Sequence, residues 1–251
     1  METVDHDLNI YCLKVGKADA FVLSSAGGTV LIDTGLITEG SKIMSFLKSQ
    51  HIQKLDWLII THFHRDHVGG AAKVLKGIQV DHVLQTSLSH KSLECVMYQM
   101  ALKRQGIEAV APRETMDFRV GDVAYTVLPP KGNYKDDECN NSTLIITVTH
   151  GKNRFLFPGD AVSERIMEYL ETQPERCDFL KVPHHGKKEK ELDRLLKTVQ
   201  PDYAIITSST LMPEKKSTRK SLEDAGAEVF LTRKNPVVLT SDGEHLSVRY
   251  M

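Results

Sequence analysis

Leu58-Ile59-Ile60-Thr61-His62-Phe63-His64-Arg65-Asp66-His67 is the stretch on which the fold of this chain turns. Leu58-Ile59-Ile60 has the composition of a buried strand. It runs into three imidazoles and a carboxylate within six residues. Imidazole and carboxylate are the usual ligands of catalytic zinc, iron and manganese, and four such groups in one short loop have no ready structural purpose. His62 and His64, two apart in extended chain, face the same way and can share one metal. Asp66 and His67 fall on the first turn of the helix suggested by Val68-Gly69-Gly70-Ala71-Ala72 and can serve a second metal beside the first. The competing reading is a histidine-rich surface loop.

The chain around this loop has 251 residues, enough for one large domain or two small ones with a sizeable core. Apolar residues at 41% and charged residues at 26% place it among ordinary globular proteins. A formal net charge of −1 provides no whole-molecule field to draw in nucleic acid or anionic membrane. Met1-Glu2-Thr3-Val4-Asp5-His6-Asp7 is acidic and polar, unlike the basic start of a signal peptide, and no apolar run reaches bilayer length. The expectation is a cytoplasmic protein with no membrane partner, which excludes DNA uptake by this chain acting alone. Cys12, Cys95, Cys139 and Cys177 are widely spaced with no C-x-x-C pair, so reduced structural thiols are expected rather than a disulfide framework.

β-branched and apolar runs predict strands at Leu8 to Val15, Ala20 to Leu23, Thr29 to Ile32, Trp57 to Ile60, Val80 to Leu84, Glu108 to Val110 and Val123 to Leu128. Helical periodicity marks Ser41 to Ser49, and Ser92 to Gln105 stopped by Gly106. The second half repeats the theme. Strands are predicted at Leu144 to Thr149, Arg154 to Phe157, Phe179 to Val182, Tyr203 to Ile206, Glu228 to Leu231, Val237 to Thr240 and His245 to Arg249. Helices fall at Ser163 to Glu171, Glu189 to Val199 and Thr218 to Ala225. Strands and helices spread through both halves suggest an α/β fold of two sheets packed face to face and covered outside by helices. Pro129-Pro130 to Cys139 joins the halves. It is taken as a loop inside one domain spanning residues 1–251, since neither half carries a complete metal site.

Leu31-Ile32-Asp33-Thr34-Gly35, the H-x-H-x-D-H run, Pro158-Gly159-Asp160 and Pro183-His184-His185-Gly186 occur in the order and context of the metallo-β-lactamase superfamily, which the chain therefore resembles. The closer likeness is to the hydrolase domain of the ComEC competence proteins and to related soluble hydrolases and phosphorylcholine esterases. Val15-Gly16-Lys17-Ala18-Asp19-Ala20 looks like that group's V-G-Q-G-D-A motif, and Asn140-Asn141-Ser142-Thr143-Leu144 resembles its Asn-rich third motif. The resemblance implies a four-layer αββα sandwich with the site at one edge, on loops leaving the strands. It implies that His62 and His64 bind a first metal, that Asp66 and His67 bind a second, and that Asp160 bridges both. One of His184 and His185 completes the second site; His185 is favoured, leaving His184 to meet substrate. Asp33 is expected to orient the metal loop, because ligating histidines need acceptors behind them, and Asp19 to support the loop around it. An ordinary turn-stabilising aspartate is the alternative for both.

Two departures bear on function. A typical di-zinc member supplies a third histidine to the first metal, where this chain offers Asn140 and Asn141. An amide oxygen is a weaker and harder ligand than imidazole, which makes Mn²⁺ a credible occupant beside Zn²⁺. Relatives also carry a G-H-P motif where this chain has Leu211-Met212-Pro213-Glu214-Lys215-Lys216-Ser217, so the substrate-facing wall differs. Lys187, Lys188 and Lys190, and the cluster Lys215, Lys216, Arg219 and Lys220, are either solvated helix starts or a positive rim for an anionic substrate. Lys187 abuts the histidine pair. His6, His51, His82, His90, His150 and His245 lie outside the motifs and are expected as surface or half-buried residues rather than ligands, and Trp57 in the core.

With no G-x-S-x-G nucleophile pattern, the expected chemistry is hydrolysis by a metal-activated hydroxide, with Asp66, Asp160 and His184 in catalytic roles. The leading substrate is a small anionic phosphoester, most specifically a phosphodiester of nucleotide or short nucleic-acid type. Lactone, thioester or β-lactam hydrolysis is the alternative within enzymes. A binding or regulatory module with partial metal occupancy is the alternative outside them.

Overall fold

The computed structural model describes residues 7–88, 90–132 and 139–251; His6 and most of the stretch from Pro129 to Cys139 lie outside them. Strands β1 (Leu8–Cys12), β2 (Phe21–Ser25) and β3 (Gly28–Ile32) form an antiparallel meander. After α1 (Gly40–Ser49), strand β4 (Lys54–Ile60) joins β3 in parallel. Helices α2 (Arg65–Val68) and α3 (Ala71–Gly77) lead to β5 (Gln79–Gln85), parallel to β4, and then to α4 (Leu93–Gln105).

The second sheet begins with β6 (Met116–Val120), β7 (Val123–Leu128), β8 (Ile145–His150) and β9 (Asn153–Phe157), all antiparallel neighbours. It continues in parallel through α5 (Ser163–Glu171), β10 (Phe179–Lys181), α6 (Leu192–Val199), β11 (Tyr203–Ile206), α7 (Lys216–Asp224) and β12 (Glu228–Leu231). Strands β13 (Val237–Ser241) and β14 (Leu246–Tyr250) then return to the first sheet beside β1. Among the described residues this makes two seven-stranded sheets, ordered β14-β13-β1-β2-β3-β4-β5 and β12-β11-β10-β9-β8-β7-β6.

Three apolar layers hold the stack together. Ile10, Phe21, Ile32 and Ile59 of the first sheet meet Ile146, Phe155, Phe157 and Phe179 of the second in the central layer. Val22, Leu31 and Leu58 turn outward onto Ile43, Val74 and Leu102 of the helices that cover the first sheet. Leu156, Leu180 and Ala204 do the same against Ile166, Leu195 and Leu222 on the other side. Alternation along each strand feeds both faces of both sheets, which is the αββα sandwich. All four cysteines are free and buried. Among the described residues no helix is long and apolar enough to cross a membrane.

Local differences from the sequence reading have simple causes. Glu108 to Val110 makes only a single bridge, Leu84 to Val110, in which Val110 alone exchanges backbone hydrogen bonds with β5, at Val83 O and Gln85 N. Met116–Val120 is a strand at the sheet edge whose half-exposed alternation masks its apolar content. The helix predicted from Glu189 begins at Leu192. Trp57 is only half-buried, its ring 4.4 Å from that of Phe118. The parallel strands β3, β4, β9, β10 and β11 all present their carboxyl ends to one edge of the sandwich. Asp33, His62, Asp160, His185 and Thr207 follow them in the chain.

Candidate metal centre

Asp33, just past β3, shapes the loop that leaves β4. Its Oδ1 accepts from Thr61 N at 2.8 Å and its Oδ2 from Thr61 Oγ1 at 2.7 Å. The same Oδ2 lies 2.7 Å from His67 Nδ1, which directs His67 Nε2 toward the site. Burial pushes the Asp33 carboxyl up, opposed by the His67 ring. Thr34 N and Oγ1 both donate to His67 O, at 2.7 and 2.8 Å, so the Asp33-Thr34 turn grips the metal loop by backbone and side chain. Asp33 holds φ at 57°, a left-handed conformation uncommon for any residue but glycine.

Asp160 follows β9 through Gly159, whose φ is 53° and where a Cβ would meet Thr143 Cγ2 at 2.5 Å; the turn therefore needs glycine. After β10, His184 and His185 both adopt left-handed backbone, φ 51° and 53°, and this turns the two rings to different tasks. His185 Nδ1 lies 2.9 Å from Thr207 Oγ1, and its Nε2 is 3.2 Å from Asp160 Oδ2 and 3.5 Å from Asp66 Oδ2. His184 stays outside this group. Its Nδ1 is 2.7 Å from Glu189 Oε1, while its Nε2 faces Lys187 Nζ at 2.7 Å and Asn140 Nδ2 at 3.4 Å.

The ligand atoms form two clusters with Asp160 in common. Asp66, His67, Asp160 and His185 make one, and His62, His64 and Asp160 the other, with all ligand atoms of a cluster within 4.8 Å of one another. His62, His67, Asp160 and His185 are buried, whereas Asp66 keeps 26% of its side chain exposed and is the acid that opens to solvent. Asp19, beside Asp33 and His67, forms a third acidic flank.

Electrostatics distinguish the members. Burial holds the His62 imidazole well below its ordinary value, so it stays neutral and free to donate a lone pair. Burial also lowers His67 and His185, but the carboxylates outweigh it. Asp160 and Asp33 raise His67 well up, and Asp160 and Asp19 push His185 to about 10. Asp66 is held far below the usual carboxylate range, because the rings of His185 and His67 overcome its burial. Yet the buried Nε2 atoms of His67 and His185 make no hydrogen bond, although each lies 3.2–3.3 Å from Asp160. Unbonded buried ring nitrogens converging on a shared carboxylate are what divalent cations would satisfy. The residues fit such ions.

Some participants have no signal in the local motifs. Lys181 is fully buried at the end of β10. Its Nζ lies 2.6 Å from Asp19 Oδ2, donates to Gly159 O at 2.7 Å and is 3.3 Å from Asp160 Oδ1. A lysine inside an apolar parallel strand is itself the signal that could have found it. Thr61 and Thr207 act through ring nitrogens and oxygens across neighbouring strands. Lys17 is electrostatically coupled to Lys187, Asp160, Asp66 and Lys215; burial and the other lysines lower it while the acids oppose them.

Not all the expected basic rim reaches this site. Arg219 and Lys220 pair with Glu223 and Asp224 on the solvent face of α7, and Lys188 meets Ser221 and Asp193. Asn140 and Asn141 lie on the turn Cys139–Ser142, each with a side-chain oxygen that is buried and without a hydrogen-bond partner. Outside the motifs, His150 is buried instead of lying at the surface or half-buried, its Nδ1 2.9 Å from Ser241 Oγ; His245 meets Asp242, whereas His90 approaches His64 with ring centroids 5.9 Å apart.

The sequence profile described as Metallo-beta-lactamase superfamily matches residues 13–208. The chain is similar to ComE operon protein 3 of Bacillus subtilis, 27% identical over 217 residues that cover 78% of this chain and 28% of that protein. It is also similar to Recombination protein 2 of Haemophilus influenzae, 28% identical over 208 residues covering 81% of this chain and 24% of that protein. The chain thus spans about a quarter of the length of these curated relatives. Among solved structures, the metallo-beta-lactamase fold protein YhfI of Bacillus subtilis superposes with a TM-score of 0.64 at 12% identity, over 97% of this chain and 100% of that one.

Proposed function

Because the chain belongs to the metallo-beta-lactamase superfamily, we propose that it is a metal-dependent hydrolase of phosphoesters, most specifically of phosphodiesters of nucleotide or short nucleic-acid type. The observation that carries this reading is Lys187, whose Nζ stands 2.7 Å from His184 Nε2, next in the chain to His185 of the twin ligand cluster joined by Asp160, with Lys215 N bonded to Gly186 O at 3.0 Å on the same loop. An ester that keeps a negative charge through hydrolysis gains from such a rim, and a neutral lactone or thioester does not. Similarity to a protein named for recombination is in keeping with a nucleic-acid-type ester.

In this proposal His62, His64 and Asp160 hold one divalent ion, and Asp66, His67, Asp160 and His185 hold the other, Zn²⁺ or Mn²⁺. When bound, the pair supplies Lewis acidity that makes water nucleophilic near neutral pH and polarises the phosphoryl group. Asp66, the acid open to solvent, takes the proton released as water attacks. Asp33 and Thr207 keep His67 and His185 in the tautomers that leave Nε2 free. Lys181 fixes the shared carboxylate from behind. His184, held between Glu189 and Lys187 beside Asn140, meets the substrate's non-reacting oxygens.

Turnover of bis-p-nitrophenyl phosphate after Mn²⁺ or Zn²⁺ addition, set against nitrocefin, a lactone and a thioester, tests the reading. Preference for the phosphodiester is expected, with Asp66→Asn and Asp160→Asn losing at least about a hundredfold in rate while staying folded. Preference for a carboxyl substrate would overturn the phosphoester assignment. Fewer than about one tightly held ion per chain and no turnover would instead favour a binding module.

A further inference from the structure

Helix α4 is apolar on two faces. Cys95, Tyr98, Ala101 and Leu102 enter the core, while Leu93, Val96, Met97 and Met100 stand in solvent at 67, 54, 37 and 50% exposure. Their spacing of three, four and seven residues places the exposed four on a single stripe. Large side chains aligned on a solvent face mark a place where something binds. Along this stripe runs an open groove of about 550 Å³ lined by Leu93, Val96, Met100 and Lys103, with His90 and Cys95 on the metal-loop side.

At its His90 end the groove adjoins the candidate centre. Cys95 Sγ donates to Phe63 O at 3.6 Å, and Phe63 lies between His62 and His64 in the metal loop. The His90 ring sits 5.9 Å from that of His64, edge to face. We propose that this groove is a subsite for an apolar arm of the ester, an alkyl, acyl or aryl substituent, whose phosphoryl group lies at the twin cluster. The inference rests on the phosphodiester-hydrolase reading above and replaces its nucleic-acid-type form with an ester that carries an apolar substituent. Flexible thioether and aliphatic side chains suit a chain or single ring of variable shape. Among the described lining residues there is no Phe, Tyr or Trp, and successive nucleobases are held by such stacking platforms. The arm is therefore apolar rather than a run of stacked bases. Lys91 and Lys103 flank the groove, keeping it wet at its margins while the stripe between them stays apolar.

Two matched substrates read the subsite, methyl p-nitrophenyl phosphate and hexyl p-nitrophenyl phosphate. The wild type is expected to prefer the hexyl ester by about tenfold or more in kcat/KM, mainly through KM, because added methylenes leave water. In Val96→Glu and Met100→Glu, changes at exposed helix positions, that ratio should fall to about one. An unchanged ratio in both variants, or no preference in the wild type, overturns the proposal. A second readout does not need hydrolysis. In metal-free protein carrying ¹³C-methyl methionine, dihexyl phosphate should shift the Met100 resonance and leave Met44 in place, and Val96→Glu should suppress the shift. If neither ester is hydrolysed but Met100 still responds, the hydrolase reading fails and the subsite stands. No response of Met100 to millimolar dihexyl phosphate overturns the subsite, as does a dimer in sedimentation that Met100→Glu dissociates, since a second copy would then cover the stripe.

Discussion

Lys181 and Asp19 form a fully buried ion pair, Nζ to Oδ2 at 2.6 Å, and the same ammonium stands 3.3 Å from the Asp160 carboxylate shared by the two ligand clusters. A charge so enclosed is tolerated because its partners oppose it. Burial lowers Lys181, but Asp19 and Asp160 more than restore its proton. Lys181→Met keeps the volume and removes the charge, leaving two buried acids uncompensated. The expected cost is about 3–5 kcal/mol in urea unfolding of the metal-free protein. Addition of Mn²⁺ should recover part of that loss, because ions held by the folded state add stability. A variant as stable as wild type without metal would show that the pair is not what compensates Asp19 and Asp160.

Asp33→Asn separates geometry from charge at the neighbouring ring. The amide can still accept from Thr61, but its NH₂ would then face His67 Nδ1, where the carboxylate now accepts. The ring would move its proton to Nε2, the atom aimed at Asp160. Metal affinity is expected to fall ten- to a hundredfold by chelator competition, with the far-ultraviolet circular dichroism unchanged. Affinity equal to wild type would mean that His67 does not depend on this tautomer.

The same rings set a pH dependence. His185 is raised to about 10 in the folded metal-free chain, against about 6.5 when unfolded. Its protonation thus stabilises the fold fully below about pH 6.5, and that contribution is lost as pH rises through the folded value. The depressed acids Asp19, Asp66 and Asp160 act in the opposite sense. Their contribution is present above about pH 3.8 and disappears as pH falls through their lower folded values. Burial lowers His62 and His64, which costs stability as pH falls below about 6.5, so metal-free protein should melt highest near about pH 6.5 and lower at pH 9. Metal must displace the imidazole protons, so the gain in Tm on adding Mn²⁺ should grow over that same rise in pH. A gain independent of pH from 6 to 9 in calorimetry would remove His67 and His185 from the ligand set.

How much of this was legible in the sequence depended on whether a role is carried by adjacent residues. His62, His64, Asp66 and His67 announce themselves because strand period and first helical turn suffice to bring them together. Asp160 is marked by Gly159 before it, whereas the choice between His184 and His185 stayed open in the sequence, because only the left-handed backbone of both residues sends their rings apart. Lys181 and Thr207 gave no such sign. Their parts follow from the parallel register of β10 and β11, which pairs Lys181 with Ile205 and brings the two strand ends side by side. Edge strand Met116–Val120 was hidden for a related reason, since only one of its faces packs. The apolar stripe on α4 blends into the helix's core face in the sequence, and only burial separates 93, 96, 97 and 100 from 95, 98, 101 and 102.

Arg165 joins the two halves near the site without touching the candidate ligands. It is fully buried, its Nε donates to Thr143 O at 2.9 Å, Nη2 to Leu128 O at 2.6 Å and Nη1 to Glu168 Oε2 at 2.9 Å. Leu128 ends β7 and Thr143 follows the Asn140-Asn141 turn, so one guanidinium ties together the two ends of that connection. Leu144 N in turn donates to Thr61 O at 3.0 Å, joining the turn to the metal loop. Arg165→Met leaves one buried carbonyl, one half-buried carbonyl and a half-buried carboxylate without this donor, at an expected cost of about 3–5 kcal/mol in unfolding. Arg165→Lys should recover little, because one ammonium cannot reproduce three donors fixed in a planar fork. Loosening the turn should also withdraw Asn140 from His184, raising KM by more than it lowers metal affinity in chelator competition, because the proposed ligands come from other loops and meet this turn only through Leu144 N and Thr61 O. If the lysine variant melts with wild type and keeps its KM, the fork is not what positions this turn.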